Sequence, residues 1–203
     1  MYGLPPNTLI NKPLFKKAVF EKFNLKAAER DRFDADISRM ALVARVSSAT
    51  VPALTKGKEI EGFYVLQVAL KRKDYDSKNI LMLQKLIPQK MVFAMQHEEQ
   101  TQFCIFHTRL QQSRWISTTE AAITLRGLTL DDAWNNVVAD IGGLDAQAEE
   151  TIEEQIIHRE QRDKLLRQIE SLEKLCRTEK QTRKKYELHQ QIIKLKEVLK
   201  DAK

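Results

Sequence analysis

The metal-ligating residue types closest together in this sequence are His97, Cys104 and His107. A closed zinc site needs four such ligands around one ion. Cys104 and His107 lie three residues apart in a predicted strand, where side chains alternate between the two faces, so they point in opposite directions. No fourth ligand type lies nearby, and we therefore predict no metal site.

A nuclease of the restriction type places two acidic groups and a lysine on one strand, so that the carboxylates hold Mg²⁺ beside the scissile phosphate. The strand that leads to Lys71 has Gln67 and Ala69 where the acidic groups are needed. The nearest carboxylates are Glu59, before the strand, and Asp74, after it. A divergent metal-dependent nuclease is therefore the weakest alternative.

Nucleotide hydrolysis requires a glycine-rich turn whose backbone amides bind phosphate. The six glycines form no such pattern, and we interpret Thr55–Lys58 as a basic loop that enters a strand. No serine or cysteine lies in a nucleophile motif, and Asp131 and Asp132 fit a helix start, where carboxylates favour the positive dipole end. The sequence thus predicts no catalytic residue and no cofactor, and it favours a protein that is not an enzyme.

The net charge of +6 is unevenly distributed. Residues 1–58 carry eleven Lys and Arg against five Asp and Glu, whereas residues 59–145 carry nine against eleven. Residues 177–185 add a second basic segment, with five positive charges against one negative. Polyanions bind where such charge is concentrated. The candidate nucleic-acid-binding residues are Lys16, Lys17, Lys56, Lys58, Arg177, Lys180, Arg183, Lys184 and Lys185.

The elements that must position these residues can be predicted from apolar spacing. A first helix is expected from an Asn11 cap to about Asn24, and a second over Ala27–Val46. Alternating burial then predicts a long strand over Ile60–Leu70. After it we expect a helix that starts at Asp76/Ser77 and ends at Pro88, strands over Lys90–His97, Thr101–Arg109 and Glu120–Arg126, and a helix over Leu128–Ile141.

This order predicts an α+β fold, with two N-terminal helices and a mainly antiparallel four-stranded sheet on which helices pack. The predicted domains are an α+β body over residues 1–145 and a charged helical region over residues 146–203. Within the first, residues 1–58 form a basic helical part and residues 59–145 a sheet part.

The stretch Thr151–Lys200 contains no glycine or proline, which predicts long helix. Its two apolar rows are out of phase by two residues, so one continuous helix would present them on different faces. A hairpin that bends within 177–185 lets the rows face each other and is favoured, although a continuous coiled coil stays open. Short amphipathic helices are marginal alone, so these rows are candidate partner-binding residues, and a homo-oligomer is one option: Leu165, Ile169, Leu172, Leu188, Ile192, Leu195 and Leu199.

No apolar run approaches the roughly 20 residues that span a bilayer. The start of the chain lacks the basic and apolar segments of a signal peptide. We therefore expect a cytoplasmic protein without membrane contact, in which Cys104 and Cys176 are free thiols.

Three stretches carry a family resemblance: Gly3–Pro5 with Asn11–Pro13, Thr55–Ile60 at the strand entry, and the tail with Glu179–Gln181 and Glu187-Leu188. Together they resemble a bacterial family of about this length that is catalogued as a domain of unknown function. Its members are often encoded near helicases and DNA methyltransferases of restriction or phage-defence type. The resemblance implies genomic neighbours and carries over no catalytic residue.

The leading hypothesis is a non-enzymatic accessory protein of a DNA-directed defence system, which docks on a larger helicase or methyltransferase. The alternative is a nucleic-acid-binding module that uses the basic residues named above, with DNA as one ligand. Neither the identity of the partner nor the kind of nucleic acid follows from the sequence.

Overall fold

The computed structural model describes residues 1–201, with side chains through Lys200. The chain divides into two compact units, Met1–Ala148 and the residues from Glu149 onward. We call the first the body and the second the arm. None of the helices in the described part of the chain has the length and apolar character needed to cross a membrane.

The body is built on one mixed sheet of seven strands, not the four predicted. The strands follow the order β1-β2-β3-β4-β5-β6, and β7 pairs with β5. Their bounds are β1 Leu9–Leu14, β2 Ile37–Ser47, β3 Gly62–Leu70, β4 Met91–His97, β5 Gln100–His107, β6 Arg109–Gln112 and β7 Ile116–Ser117.

Most neighbouring strands are antiparallel, as predicted, and the exception is the parallel pair of β3 and β4. A parallel pair needs a crossover connection, and helix α3, Lys78–Leu86, provides it. The predicted helix start at Asp76/Ser77 is confirmed, because Ser77 is the N-cap and the Asp76 carboxylate accepts the backbone N–H of Lys78 at 2.9 Å.

One face of the sheet packs against α3 and two short helices, α1 (Lys16–Lys22) and α2 (Ala27–Asp36). Leu66 of β3 and Phe93 of β4 lie at the centre of this core and are fully buried. Phe20 and Phe33 add an edge-to-face ring contact at 5.7 Å. Burial of large apolar side chains is the main stabilising term of such a layer.

The other face is covered in part by helix α4, Leu130–Gly142. Trp134 is fully buried and packs against Phe63 with ring centroids 5.3 Å apart. Thr129 caps the helix in a reciprocal box with Asp132. The helix ends at Gly143 with φ +63°, a conformation that glycine adopts without strain.

The second predicted helix is wrong in its C-terminal half, because α2 ends at Asp36 and β2 begins at Ile37. The pairing of β2 with β3 shifts between Ile37 and Arg39 and again between Leu42 and Ala44. At each shift β2 contains one more residue than the paired segment of β3, which interrupts the regular alternation of its side chains between the two faces of the sheet. The buried positions of this strand therefore recur every three or four residues, which is the spacing of a helix.

The first predicted helix is also wrong at its start, because Asn11 and Pro13 lie in β1, at the edge of the sheet, where proline is tolerated. The predicted strand Glu120–Arg126 has no strand structure. Ile123 instead donates its backbone N–H to the Tyr2 carbonyl at 2.9 Å. Its alternating burial comes from contact with the chain start, not from a sheet ladder.

The arm contains two helices, α5 (Ile152–Thr178) and α6 (Thr182–Asp201). Thr151 and Glu154 cap α5 reciprocally. The helices pack against each other, as the ion pair between Lys196 Nζ and Glu173 Oε1 at 2.7 Å shows. The arm is thus the predicted hairpin and not one continuous helix.

Candidate functional site

The hairpin turn is formed by Glu179–Gln181 without glycine or proline. Glu179 has extended backbone angles, φ −71° and ψ 127°, and its carboxylate accepts the backbone N–H of Gln181 at 2.8 Å. This side chain thereby satisfies a backbone donor where α6 begins. The same hydrogen bond, with a weaker one from the N–H of Lys180, lowers the pKa of Glu179.

The predicted partner-binding rows are buried or partly buried in the arm. Ile169 and Ile192 are buried, with 6% of each side chain exposed. The other five are partly buried: Leu165, Leu172, Leu188, Leu195 and Leu199. The hairpin uses these residues for its own packing, so their availability to a separate partner stays a prediction.

Several large apolar side chains of the arm that the sequence analysis did not select are exposed. Leu175 is 54% exposed, Tyr186 65% and Val198 52%. Leu175 and Leu188 line an open groove of about 640 Å³ at the tip, whose lining includes the cations Lys180 and Lys184. Glu179 and Glu187 also line it, so the groove combines an apolar floor with charges of both signs. The positive excess at the tip comes from the surrounding segment 177–185.

The tip cations differ in how they are paired. Arg183 Nε lies 3.3 Å from Glu187 Oε1, one helical turn away. Within the described residues, no salt bridge involves Arg177, Lys180, Lys184 or Lys185. Arg177 and Lys184 lie close enough to Glu173 and Glu179 to lower the pKa values of these carboxylates, although neither cation forms a direct ion pair.

The candidate basic residues of the body are mostly paired with carboxylates. Lys16 Nζ lies 2.5 Å from Asp34 Oδ1, Lys17 Nζ 3.6 Å from Glu21 Oε1, and Lys56 Nζ 2.5 Å from Glu61 Oε1. Lys16 and Lys17 begin α1, whereas Lys56 and Lys58 lie in the loop before β3. Their charge is therefore partly neutralised and divided between two segments.

Comparison with known protein families gives a match over nearly the whole chain. The model of a family described as a domain of unknown function (DUF4391) covers residues 2–199. The chain belongs to the DUF4391 family. No curated protein and no solved structure matches it.

The Thr55–Ile60 motif of this DUF4391 chain wraps around the side chain of Asp131. The carboxylate accepts the backbone N–H groups of Lys58 at 2.6 Å and Ile60 at 2.9 Å, and that of Glu59 at 3.3 Å. A Cβ at Gly57 would lie 2.2 Å from Asp131 Oδ1 and 2.8 Å from the backbone carbonyl oxygen of Ile60, so a larger residue would force the loop to shift. This anion-binding nest is filled by the protein's own carboxylate, and the motif joins the loop to α4.

The positions of a restriction-type metal site hold no carboxylates in this DUF4391 chain. Gln67 and Ala69 lie on the same face of β3, and the Gln67 amide hydrogen-bonds to Gln96 of β4. Glu59 precedes β3 and Asp74 follows it. A strand rises about 3.3 Å per residue, so about 26 Å of strand separates the two ends, and the two carboxylates cannot share one ion.

The zinc candidates are also separated. Cys104 pairs with Phe93 in β4, and His107 pairs with Arg109 in β6 and receives a 3.4 Å hydrogen bond from Trp134 Nε1. His97 lies at the far end of β4. Among the described residues, no group of three His, Cys, Asp or Glu side chains is arranged to hold a metal.

Sequence reasoning missed a polar cluster around Tyr75. The Tyr75 hydroxyl donates to Gln102 Oε1 at 2.8 Å, lies 3.3 Å from Cys104 Sγ, and accepts a hydrogen bond from Gln112 Nε2. Burial raises the pKa of Cys104 to about 11 and also raises the pKa of Tyr75. Both groups are therefore neutral at physiological pH, and a Cys104 thiolate nucleophile is disfavoured.

Proposed function

We propose that this DUF4391 protein is a non-enzymatic accessory protein of a bacterial DNA-directed defence system. Its body and arm would dock on a larger helicase or methyltransferase, the partners that the family resemblance implies. The groove at the hairpin tip is the observation that carries this proposal, and its chemistry specifies the partner surface.

The groove favours an acidic partner segment that carries an apolar side chain. Leu175 and Leu188 offer apolar contact beside Lys180 and Lys184, and Glu179 and Glu187, which also line the groove, offset part of the charge of these lysines. The surrounding segment 177–185 carries five positive charges against one negative. Interfaces gain affinity from buried apolar anchors, and complementary charge increases their specificity and association rate.

The outward apolar residues of the arm add contact area for the same partner. Leu166 is 44% exposed, although it follows Leu165 of the packed rows, and Leu175 is 54% exposed. An exposed leucine alone is unremarkable. Its position beside an apolar groove with unpaired cations is what supports docking here.

The test is co-expression of the full-length protein with the helicase and methyltransferase encoded beside it. Lys180→Glu with Lys184→Glu should abolish co-purification with one of them, since it places acidic groups against an acidic segment. The matched control, Lys78→Glu with Lys85→Glu on α3, makes the same charge change on the body and should leave co-purification intact. Retention of the partner by the Lys180/Lys184 variant would contradict docking at the tip.

Deletion of residues 151–203 tests the wider proposal that the arm is required. Complex formation should be lost while the circular-dichroism spectrum and cooperative unfolding of the body persist. A truncated body that still co-purifies would overturn the role of the arm. Size-exclusion chromatography with light scattering checks whether the full chain alone forms dimers, in which case a second copy, not a larger protein, occupies the groove.

A second candidate function, nucleic-acid binding, is favoured by the same unpaired cations. Arg177, Lys180, Lys184 and Lys185 lie within nine residues at the turn of one hairpin. If each contacts one phosphate of duplex DNA, the logarithm of affinity should fall with the logarithm of salt with a slope of about −3 to −4.

Fluorescence anisotropy of labelled duplex and single-stranded DNA, measured from low to physiological salt, tests this alternative. Lys184→Gln with Lys185→Gln should reduce the slope by about 2, whereas Lys56→Gln with Lys58→Gln should change it less because Lys56 is already paired with Glu61. A flat salt response, or no binding at low salt, removes nucleic acid as a ligand.

A further inference from the structure

A small cavity on the body lies at the junction of β1, β2 and β3. Its volume is about 330 Å³, at the lower end of the range of pockets that bind small molecules. Ile10, Leu42, Tyr64 and Ile87 form its apolar surface, and all four are partly buried. Ile10, Leu42 and Tyr64 lie in strands of the sheet and Ile87 directly follows α3, so the cavity lies where the sheet meets the end of that helix.

Two cations border this apolar surface. Lys12 projects from the edge strand β1 and Arg45 from β2, and both are exposed. The Arg45 guanidinium lies over the Tyr64 ring at 5.8 Å. Stacking on an aromatic face fixes the plane of a guanidinium and leaves its N–H edge available to an anion.

Neither cation has an acidic partner within the described chain: no salt bridge involves Lys12 or Arg45. By contrast, Lys16, a few residues after Lys12, is paired with Asp34. Two unpaired positive charges across one cavity match a dianion better than a monoanion. A phosphate monoester carries about −1.5 to −2 charges at pH 7, and arginine binds phosphate through two parallel N–H groups.

We propose that this cavity binds a small organic phosphate with a compact, apolar or aromatic body, of the size of a nucleoside monophosphate. Arg45 and Lys12 hold the phosphate, and the surface formed by Leu42, Tyr64 and Ile87 contacts the body of the ligand. The amide side chain of Gln89, which also lines the cavity, can hydrogen-bond to a polar edge of that body. This site is independent of the arm and of the proposed docking function.

The experiment is calorimetric titration of the full-length protein with the nucleoside 5′-monophosphates. The matching nucleosides and inorganic phosphate are titrated separately. We expect saturable binding of at least one monophosphate, with the nucleoside and inorganic phosphate each binding about tenfold more weakly or worse, because each lacks one half of the recognition. Equal binding of inorganic phosphate, or of the nucleoside without phosphate, overturns the proposal.

Matched variants locate the site. Arg45→Gln and Lys12→Gln should each weaken binding about tenfold, the effect of losing a charge-assisted hydrogen bond. Arg39→Gln is the control, because Arg39 is an exposed arginine of the same strand that pairs with Ala69 and so lies on the other face of the sheet from Arg45, which pairs with Tyr64. Arg39→Gln should leave the affinity unchanged.

Two outcomes overturn the site directly. One is the absence of saturable binding at millimolar monophosphate. The other is a loss of binding in Arg39→Gln equal to that in Arg45→Gln, which would indicate general attraction to a basic surface. Circular dichroism of each variant confirms that the fold is intact, and these exposed positions make unfolding unexpected.

Discussion

The body and the arm bury their residues by different means. The body encloses fully buried side chains such as Phe93 and Leu66 and a carboxylate, Asp36, that is 1% exposed. The arm has one layer of apolar contact between two helices, centred on Ile169 and Ile192, and its ion pairs lie on the surface. The difference teaches that the body can fold on core packing, whereas the arm is stabilised by fewer contacts and keeps more of its apolar surface available.

The largest expected effect is in the body core. Phe93→Ala should lower the free energy of unfolding by about 3–5 kcal/mol, because it opens a cavity against Leu66 and Cys104, the cross-strand neighbours of Phe93. Ile169→Ala in the arm should lower the free energy of unfolding by less, about 2 kcal/mol, because two helices can move together and partly fill the cavity. Chemical denaturation followed by circular dichroism measures both, and Phe15→Ala, at a 71% exposed position, is the control. A larger loss of unfolding free energy for Ile169→Ala than for Phe93→Ala would contradict this difference between the two units.

The buried carboxylate of the body should have the next largest effect. Asp36 accepts hydrogen bonds from Arg72 Nε at 2.5 Å, the backbone N–H of Asp76 at 2.9 Å and Asn79 Nδ2 at 2.8 Å. Asp36→Ala leaves these donors without their acceptor at the junction of α2, β3 and α3, and should cost about 3 kcal/mol. Asp34→Ala, which breaks a more exposed ion pair with Lys16, is the matched control. A similar small loss for both variants would show that burial of Asp36 adds little.

The two cysteines compare the units directly. Cys104 is buried in the body and its thiol has a pKa of about 11, whereas Cys176 in the arm is partly exposed. Alkylation by iodoacetamide at neutral pH should modify Cys176 roughly 100-fold faster than Cys104, which reacts only after local opening. Peptide mass mapping over time measures the two rates. Comparable rates would mean that the sheet opens as readily as the hairpin.

The Cys104 thiol should make the stability of the body depend on pH, in a direction that follows from its raised pKa. The folded-state pKa of Cys104 lies above its unfolded value, because burial disfavours the thiolate. Its contribution to stability is therefore present below the unfolded pKa of about 8.5 and is lost as pH rises toward about 11. Cys104→Ala should flatten the fall in body stability over this window, measured as the denaturant midpoint, while Cys176→Ala should leave its slope unchanged.

The smallest effect is expected at the surface of the arm. The ion pair from Lys196 to Glu173 lowers the pKa of Glu173. Its contribution is present above the ordinary pKa of a glutamate and is lost as pH falls through the lowered value. Glu173→Gln should therefore shift the melting temperature of the arm only slightly, and high salt should remove the shift. A shift that persists in high salt would point to packing of the side chain instead of charge.

Local signals predicted several elements well. The approximate bounds of α3 follow from its cap at Asp76/Ser77 and from Pro88, and those of α4 from its apolar period and the glycines at its end. All of these signals act within a few residues. The hairpin followed from the phase difference between the two apolar rows of the arm. Its turn lacks the usual glycine because the Glu179 side chain supplies the acceptor that closes it.

Other elements depended on contacts that no short window contains. β2 was predicted as helix because two bulges, set by its pairing with β3, give its buried residues helical spacing. The segment around Ile123 was predicted as a strand, yet its partner is the carbonyl of Tyr2, more than a hundred residues away. The Thr55–Ile60 stretch is recognisable as a motif in the sequence. Its structural role follows only from the fold, in which the backbone N–H groups of the loop donate to the Asp131 carboxylate.

The sequence by itself determined the α+β class and the placement of basic charge and favoured the helical hairpin, because composition, apolar period and charge are local properties of the chain. Only the tertiary structure decided which of these charges are free. It paired Lys16 with Asp34, 18 residues further along the chain, and strand pairing brought Lys12 and Arg45 together beside one cavity. Lys17 and Lys56, by contrast, pair with Glu21 and Glu61, which are close by in sequence. The reason is physical: the surroundings of Lys12, Lys16 and Arg45 depend on distances between residues that are far apart in sequence.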